Sequence, residues 1–139
     1  MKRSAAEYIA DLLAAGVTES KAQADAYGTM ARAFPDGLPS ATNAVFTLES
    51  SALGNVGYIW VGCDTSGDLA SWWVWDIVVD AEHRGNGFGR QAMILAEGYA
   101  RSQGAETLGL NVFGFNTAAR GLYESLGYET TSIKMRKTL

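Results

Sequence analysis

A glycine-rich stretch flanked by two arginines is the part of the sequence best suited to chemistry. It reads Arg84-Gly85-Asn86-Gly87-Phe88-Gly89-Arg90. Glycine tolerates positive φ and lets the backbone approach a ligand, so successive N–H groups can converge there. An apolar run precedes the stretch and a helical pattern follows it, which places it at a helix N-terminus, where the dipole favours an anion. We therefore predict a phosphate or pyrophosphate site, with both arginine side chains as further hydrogen-bond donors.

Two familiar phosphate-binding loops do not match this stretch. A P-loop requires Gly-x-x-x-x-Gly-Lys-Ser/Thr, and the sequence contains no such run. A dinucleotide fingerprint would place its third glycine at position 90, where the chain has Arg90, and would need an acidic residue near the end of the next strand. The alternative without a ligand is a glycine-rich connection between strand and helix, with two solvated arginines.

The stretch resembles the Arg/Gln-x-x-Gly-x-Gly/Ala motif with which GNAT acetyltransferases bind acetyl-coenzyme A. It follows a strand that ends Ile77-Val78-Val79-Asp80, as that motif does. A second run, residues 116–128, is similar to the family's Asn-x-x-Ala-x-x-x-Tyr-Glu-x-x-Gly-Phe/Tyr helix. Two motifs in the right order, about 30 residues apart, are more specific than either alone. The resemblance extends from about residue 56 to 130.

The resemblance implies a set of residues that hold acetyl-coenzyme A as donor substrate, and no metal. The backbone of the glycine-rich stretch would bind the pyrophosphate. In the family, a β-bulge makes the preceding strand separate from its parallel neighbour. The exposed main-chain groups of that strand would pair with the pantetheine amides, and one of its N–H groups would polarise the thioester carbonyl. The implied cofactor-binding residues are Ile77, Val78, Val79, Arg84, Gly85, Asn86, Gly87, Phe88, Gly89, Arg90, Asn116, Ala119 and Tyr123.

Catalytic roles follow from the same resemblance. Tyr123 matches the family tyrosine that protonates the departing thiolate, although a tyrosine on a helix face also serves packing. An amine acceptor with a solution pKa near 10 must lose a proton before it attacks, so a base is required. Asp76 is the first candidate for that base, and Glu49 on an earlier strand is the second. Either carboxylate could instead be an ordinary surface group.

These residues require a scaffold, and the resemblance implies the α/β (α+β) GNAT fold, a mixed central sheet flanked by helices, as one domain over residues 1–139. The residue pattern predicts strands at 45–49, 56–63 and 72–79 in an antiparallel meander, with Phe46 and Leu48 inward on the first. A helix should run from the glycine-rich stretch to Gly104. Its predicted buried residues are Phe88, Ala92, Leu95 and Tyr99.

The rest of the chain continues this pattern. A strand at 106–112 should lie parallel to the strand at 72–79. Asn116 should cap a short helix that buries Ala119, Leu122 and Leu126, and residues 128–137 should return as a final antiparallel strand.

The amino-terminal part is where the chain departs from the family. The pattern predicts helices at 4–15 and 18–34, followed by a loop at 35–43. A GNAT fold normally opens with a strand before two such helices, and Met1-Lys2-Arg3 is too short to supply it. The first family strand is therefore expected to be missing. Another element, or a second copy of the chain in a homodimer, would then cover that sheet edge.

Composition narrows the function classes. The 139 residues are 47% hydrophobic and 19% charged with a net charge of −4, which is ordinary for a globular protein and disfavours nucleic acid as a partner. We find no membrane-length apolar run and no signal peptide, so we expect a cytoplasmic protein. Cys63 is expected to pack as a small apolar residue in a strand, and His83 to be an exposed loop residue rather than a base. The four tryptophans are expected to pack in the core or on the sheet; the alternative is that one or more line the acceptor pocket.

Three functional interpretations remain. The favoured one is transfer of acetyl from acetyl-coenzyme A to a primary amine by direct attack. The acceptor could be a polyamine, an amino acid, an aminoglycoside or a protein amine. A non-catalytic acyl-coenzyme A sensor is the second interpretation, and a nucleotide-binding module unrelated to coenzyme A is the third. The residues do not choose the acceptor.

Overall fold

Four strands form one mixed sheet in the order β1-β2-β3-β4 in the computed structural model, which describes residues 41–139. The first three strands pair antiparallel, and β4 pairs parallel to β3, as the sequence predicts. The elements are β1 Asn43–Ser50, β2 Gly54–Cys63, β3 Ser71–Val79, a short 3-10 helix Ala81–His83, α1 Phe88–Ser102, β4 Thr107–Leu110 and α2 Thr117–Ser125.

Small side chains decide which side of α1 faces the sheet. Ala92, Ala96 and Ala100 recur every four residues, and together with Met93 they are at most 1% exposed. Alanine lets a helix backbone come close to a sheet, so this stripe fixes the rotation of the helix. The prediction that Leu95 lies on the buried face is wrong, because its side chain is 67% exposed. Ala92, Met93 and Ala96 share one buried cluster with the sheet residues Leu48, Val56, Ile59 and Val74, and Ala100 packs in a second cluster with Val61 and Trp72.

Three further details differ from prediction. β4 ends at Leu110 and does not reach residue 112. Residues 128–139 contain no helix or strand, so the predicted final strand is wrong, and Ile133 and Met135 are mostly exposed. Alternating apolar residues favour a strand only where a neighbouring strand can pair with their backbone, and the short β4 gives little to pair with. On β1, Leu48 is buried as expected, whereas Phe46 remains 39% exposed.

The second helix is confirmed, with less burial than predicted. The Asn116 side chain caps it by accepting a hydrogen bond from the backbone N–H of Ala119 at 3.2 Å. Ala119, Leu122 and Leu126 are half-buried. The predicted helices at 4–15 and 18–34, most of the loop at 35–43 and the missing first strand lie outside the described residues.

Close backbone contact between β2 and β3 yields a stability prediction at Gly57. A Cβ at this position would lie 1.9 Å from the backbone oxygen of Val78, so one strand would have to move. We expect Gly57→Ala to lower the free energy of unfolding by about 2–3 kcal/mol, as overpacking does. Gly98→Ala is the control, since Gly98 lies within α1 and nothing in the part of the chain that the structure describes lies within 4 Å of its Cβ position.

Urea denaturation of both variants measures the difference. Gly98→Ala should raise the free energy of unfolding by up to about 1 kcal/mol, because alanine favours a helix. Equal stability of Gly57→Ala and the unsubstituted protein would contradict the close strand contact.

Candidate active site

A gap opens between β3 and β4 where their pairing stops. The two strands pair from Ser71 with Thr107 to Val74 with Leu110. Beyond Val74, β3 continues for five residues, still paired with β2 and with no strand on its other side among the described residues. A β-bulge at Trp75 coincides with this point, because Val61 pairs with Val74 while Trp60 pairs with Asp76. The bulge and the end of pairing lie directly before Asp76 to Val79, the range over which the resemblance implies a bulge and a splay.

The glycine-rich stretch leads from the end of β3 into the N-terminus of α1. Gly85 and Gly87 have φ of 79° and 82°, the left-handed region that glycine favours. Among residues 41–139, nothing lies within 4 Å of the position of a Cβ on either residue, so this part of the structure leaves open space beside the backbone. Gly87 is the N-cap of α1, and no side chain of the described residues caps the helix. The N–H groups of the first turn are therefore placed to bind an anion.

Contacts within the loop hold it in shape. The Arg84 Nε donates to the Val79 carbonyl at 2.9 Å, and the Asn86 side chain donates to the His83 carbonyl at 3.1 Å. Arg90 is turned toward α2, where its Nη2 donates to the Ser125 hydroxyl at 2.7 Å. Each arginine uses one of its five donors in these contacts. Gly89 lies where α1 approaches α2, since a Cβ there would be 3.3 Å from Leu122.

A cavity of about 570 Å³ adjoins the gap and brings both predicted catalytic residues together. Asp76 of β3 and Tyr123 of α2 line it, together with Ile77, Asn116 and Ala119 from the predicted cofactor-binding set. Burial raises the pKa of Tyr123, and the nearby Asp76 carboxylate raises it further. The phenol therefore stays protonated at neutral and mildly alkaline pH, so that it can donate to a ligand in the cavity.

Asp76 accepts a hydrogen bond from a residue that the sequence analysis missed. The Tyr58 hydroxyl donates to Asp76 Oδ2 at 2.7 Å. The two residues belong to neighbouring strands, and only the register around the bulge brings them together. Glu49, the second candidate base, is exposed on β1 and does not line the cavity.

Three of the four tryptophans form one wall of the cavity, which we call the tryptophan wall: Trp60, Trp73 and Trp75. Trp60 and Trp75 stack with ring centroids 5.7 Å apart, and Trp73 lies 6.3 Å from Trp75. Gly109 of β4 makes room for Trp73, since a Cβ there would be 2.4 Å from the indole ring. Trp72 is 3% exposed and packs in the core near α1. The predicted packing in the core and on the sheet is therefore confirmed, and three of the tryptophans also line the cavity.

Cys63 and His83 lie outside the cavity lining. Burial raises the pKa of the Cys63 thiol, and the Asp64 and Asp68 carboxylates raise it further, which makes a nucleophilic thiolate unfavourable. His83 lies in the 3-10 helix, with its Nε2 3.4 Å from a Glu82 carboxylate oxygen. Together with Asp80 these two form the one group of potential metal ligands found within residues 41–139, with ligand atoms within 4.8 Å of one another.

The predicted site residues thus fall into two groups. Five of them line the cavity, and the loop residues from Arg84 to Arg90 surround the N-terminus of α1 at the end of β3. Val78 and Val79 lie between these groups on β3, with Val78 6% exposed. In the part of the chain that the structure describes, we find no helix with the length and apolar character of a membrane span.

Comparison with known proteins identifies the family. The family model described as "Acetyltransferase (GNAT) family" matches residues 41–128. YycN of Bacillus subtilis, named as an uncharacterized N-acetyltransferase, is 30% identical over 105 residues, which cover 76% of this chain and 67% of YycN. The YycN crystal structure superposes with a TM-score of 0.86 at 27% identity, covering 99% of this chain and 88% of YycN.

A more distant solved structure shares the fold. AAC(6')-Iy in complex with the bisubstrate analogue CoA-S-monomethyl-acetylneamine has a TM-score of 0.59 at 16% identity, with 88% of this chain and 82% of that chain covered. The mixed sheet, the gap between β3 and β4 and the glycine-rich loop agree with these likenesses. The chain therefore belongs to the GNAT family of N-acetyltransferases.

Proposed function

We propose that the protein transfers acetyl from acetyl-coenzyme A to a primary amine by direct attack, with both substrates bound at once. One observation carries this proposal: a cavity beside the end of β3–β4 pairing contains both Asp76 and Tyr123, and β3 runs on from Asp76 toward the glycine-rich loop and the N-terminus of α1. The donor supplies an activated acetyl thioester. The chain's residues bind it, orient it and move the protons.

The loop and the start of α1 fit a pyrophosphate. The left-handed glycines leave open space beside the backbone, and the first-turn N–H groups have no capping side chain. An anion placed there would gain charge-assisted hydrogen bonds and the favourable helix dipole. The remaining donors of Arg84 and Arg90 would add to the same contacts.

The edge of β3 beyond Val74 fits the pantetheine arm. Ile77, Val78 and Val79 continue the strand past its last pair with β4, so an extended ligand with two amides could add there as a strand does. A backbone N–H at this edge would polarise the thioester carbonyl. Asn116 and Ala119 border the same space at the start of α2, where Asn116 could also contact the pantetheine.

Tyr123 and Asp76 would each carry out one of the two proton transfers. Tyr123, protonated at neutral pH, would donate to the departing sulfur. Asp76, held by the Tyr58 hydroxyl, would accept the proton of the incoming ammonium, directly or through a water molecule. The structural neighbour AAC(6')-Iy was solved with a bisubstrate analogue, which supports a scaffold that holds donor and acceptor together.

Removing the proposed base should change both the rate and its pH dependence. We expect Asp76→Asn to lower kcat/KM for an amine by about 100-fold near neutral pH, within the usual range for a general base. The deficit should shrink as the pH rises, because more of the amine is then already deprotonated. Rates of thiol release at saturating acetyl-coenzyme A measure this deficit from about pH 6 to about pH 10, which approaches the ordinary pKa of an alkyl ammonium group, about 10.4.

Tyr58→Phe is the matched control, since it removes the hydrogen bond but keeps the carboxylate. This variant should lower kcat/KM by about tenfold or less, because the weaker hydrogen bonds to charged groups contribute about 1.5 kcal/mol. A deficit of Asp76→Asn that stays constant at every pH would contradict the role of a base and leave Asp76 as the acceptor for Tyr58.

Turnover tests the function as a whole. Thiol release should require both acetyl-coenzyme A and an amine, and initial rates with both concentrations varied should give intersecting double-reciprocal lines. Parallel lines would indicate an acyl-enzyme and overturn direct attack. Tight binding of acetyl-coenzyme A, with no thiol release when polyamines, amino acids, aminoglycosides or peptide amines are added, would favour the sensor interpretation.

A further inference from the structure

We propose that the acceptor is an elongated dication: one amine reacts beside Asp76, the chain lies along the tryptophan wall, and a second cationic group sits at Asp64. The inference rests on the proposed function, because it takes Asp76 and Tyr123 to mark the reacting end. It names a substrate class that the family alone does not give. Its basis is the arrangement of charge along one cavity.

Asp64 is fixed on the face of the sheet that carries the tryptophan wall. Its carboxylate accepts hydrogen bonds from the backbone N–H and hydroxyl of Ser66, with the N–H at 2.9 Å, and from the Ser71 hydroxyl. Ser71 precedes Trp73 by two residues on β3, so both side chains point to the same face. Asp64 and Ser66 line the same cavity as Asp76.

Those hydrogen bonds also keep Asp64 ionised. The Ser66 hydroxyl and the Ser71 hydroxyl, followed by the Ser66 N–H, hold the pKa of Asp64 below its ordinary value. A carboxylate that is charged at all physiological pH values is thus held in place at the edge of the cavity. A bound cation would meet a negative charge that its loop has already oriented.

Strand geometry gives the distance between the two carboxylates. Asp76 lies opposite Trp60 in the register of β2 and β3, and Asp64 follows Trp60 by four residues. At about 3.3 Å per residue this separates the two positions by roughly 13 Å. Nitrogens joined by about eight methylene groups span a similar length, allowing for side chains that lean inward.

The wall between the carboxylates suits such a chain. The half-buried indoles of Trp73 and Trp75 present apolar surface against which methylene groups can pack, and Trp60, only 3% exposed, stacks on Trp75 and holds it in place. Ring faces also attract cations, so they tolerate the charged ends of the ligand. An acceptor with a neutral group in place of the second cation would lose the attraction of Asp64. An acceptor with a carboxylate there would be repelled by Asp64.

Binding to the protein loaded with coenzyme A tests the proposal without turnover. Tryptophan fluorescence would be titrated with diaminooctane and with aminooctanol, in which a hydroxyl replaces the second amine. We expect diaminooctane to bind about fivefold more tightly at low salt, with the preference shrinking as salt is added. Asp64→Asn should remove the preference while keeping an oxygen that accepts from the Ser66 N–H.

Asp68→Asn is the matched control in the same loop, because Asp68 is exposed and lies outside the cavity lining. It should keep the fivefold preference. Equal binding of the two ligands, or a preference that persists in Asp64→Asn, would overturn the proposal. Acetylation assays on the same samples separate the two claims: a retained preference without acetyl transfer would overturn the transferase function but support the dication site.

Discussion

Replacing Tyr123 with phenylalanine should lower kcat by about 100-fold while the Kd for acetyl-coenzyme A changes less than about twofold. The phenol has a raised pKa and an ordinary thiol has a pKa of about 8.5, so complete proton transfer to the sulfur is uphill. The hydroxyl would therefore act chiefly by hydrogen bonding to the developing thiolate. This places the expected effect at the low end of the range for general acid catalysis.

Tyr128→Phe is the control for this variant. Tyr128 contacts Tyr123 edge-on, with ring centroids 6.1 Å apart, and its hydroxyl donates to Glu97 at 2.9 Å, away from the cavity. Loss of the Tyr128 hydroxyl should reduce the free energy of unfolding by about 1 kcal/mol and leave kcat nearly unchanged. Single-turnover and steady-state rates with one saturating amine measure both variants. Equal rates for Tyr123→Phe and Tyr128→Phe would show that Tyr123 only packs.

Replacing Gly87 with alanine should raise the Kd for acetyl-coenzyme A by about 10- to 100-fold, the equivalent of one lost charge-assisted hydrogen bond of about 1.5–3 kcal/mol. Two causes combine. The left-handed φ of 82° disfavours a side chain, and the added methyl group would occupy the open space where an anion would approach the N-terminus of α1.

Gly104→Ala separates these causes. Gly104 follows the other end of α1 with φ of 92°, and again no atom of residues 41–139 lies within 4 Å of its Cβ position. Both substitutions should lower the free energy of unfolding by about 1–2 kcal/mol through the same backbone penalty. Only Gly87→Ala should weaken acetyl-coenzyme A binding, as measured by calorimetry. Equal Kd values for the two variants would remove the loop from the proposed binding site.

The elements that carry local signals were predictable from the sequence. The glycine-rich stretch between an apolar run and a helical pattern correctly placed β3, the loop and the start of α1. The cap of α2 followed from Asn116 alone. These features depend on backbone conformation and hydrogen bonding within a few residues, which the sequence records directly.

The predictions that were wrong, and the contacts that the sequence analysis missed, depend on tertiary packing. Leu95 was predicted to be buried because it continues the helical spacing of Phe88, Ala92 and Tyr99, whereas the alanine stripe sets the rotation of α1. The contact between Tyr58 and Asp76 requires the register on each side of the bulge at Trp75. Asp64 reads as a turn residue in the sequence, and only the pairing of β2 with β3 places it on the tryptophan face.

Calorimetric titration with acetyl-coenzyme A, coenzyme A and ATP, each in a separate experiment, is the most direct test of the central claim. The loop at the start of α1 and the gap beside β3 are proposed to hold the pyrophosphate and the pantetheine arm together. We predict saturable binding of acetyl-coenzyme A and coenzyme A at one site per chain, with ATP much weaker because it lacks the arm. Saturable ATP binding with no response to acetyl-coenzyme A would contradict the proposed donor and the mechanism built on it.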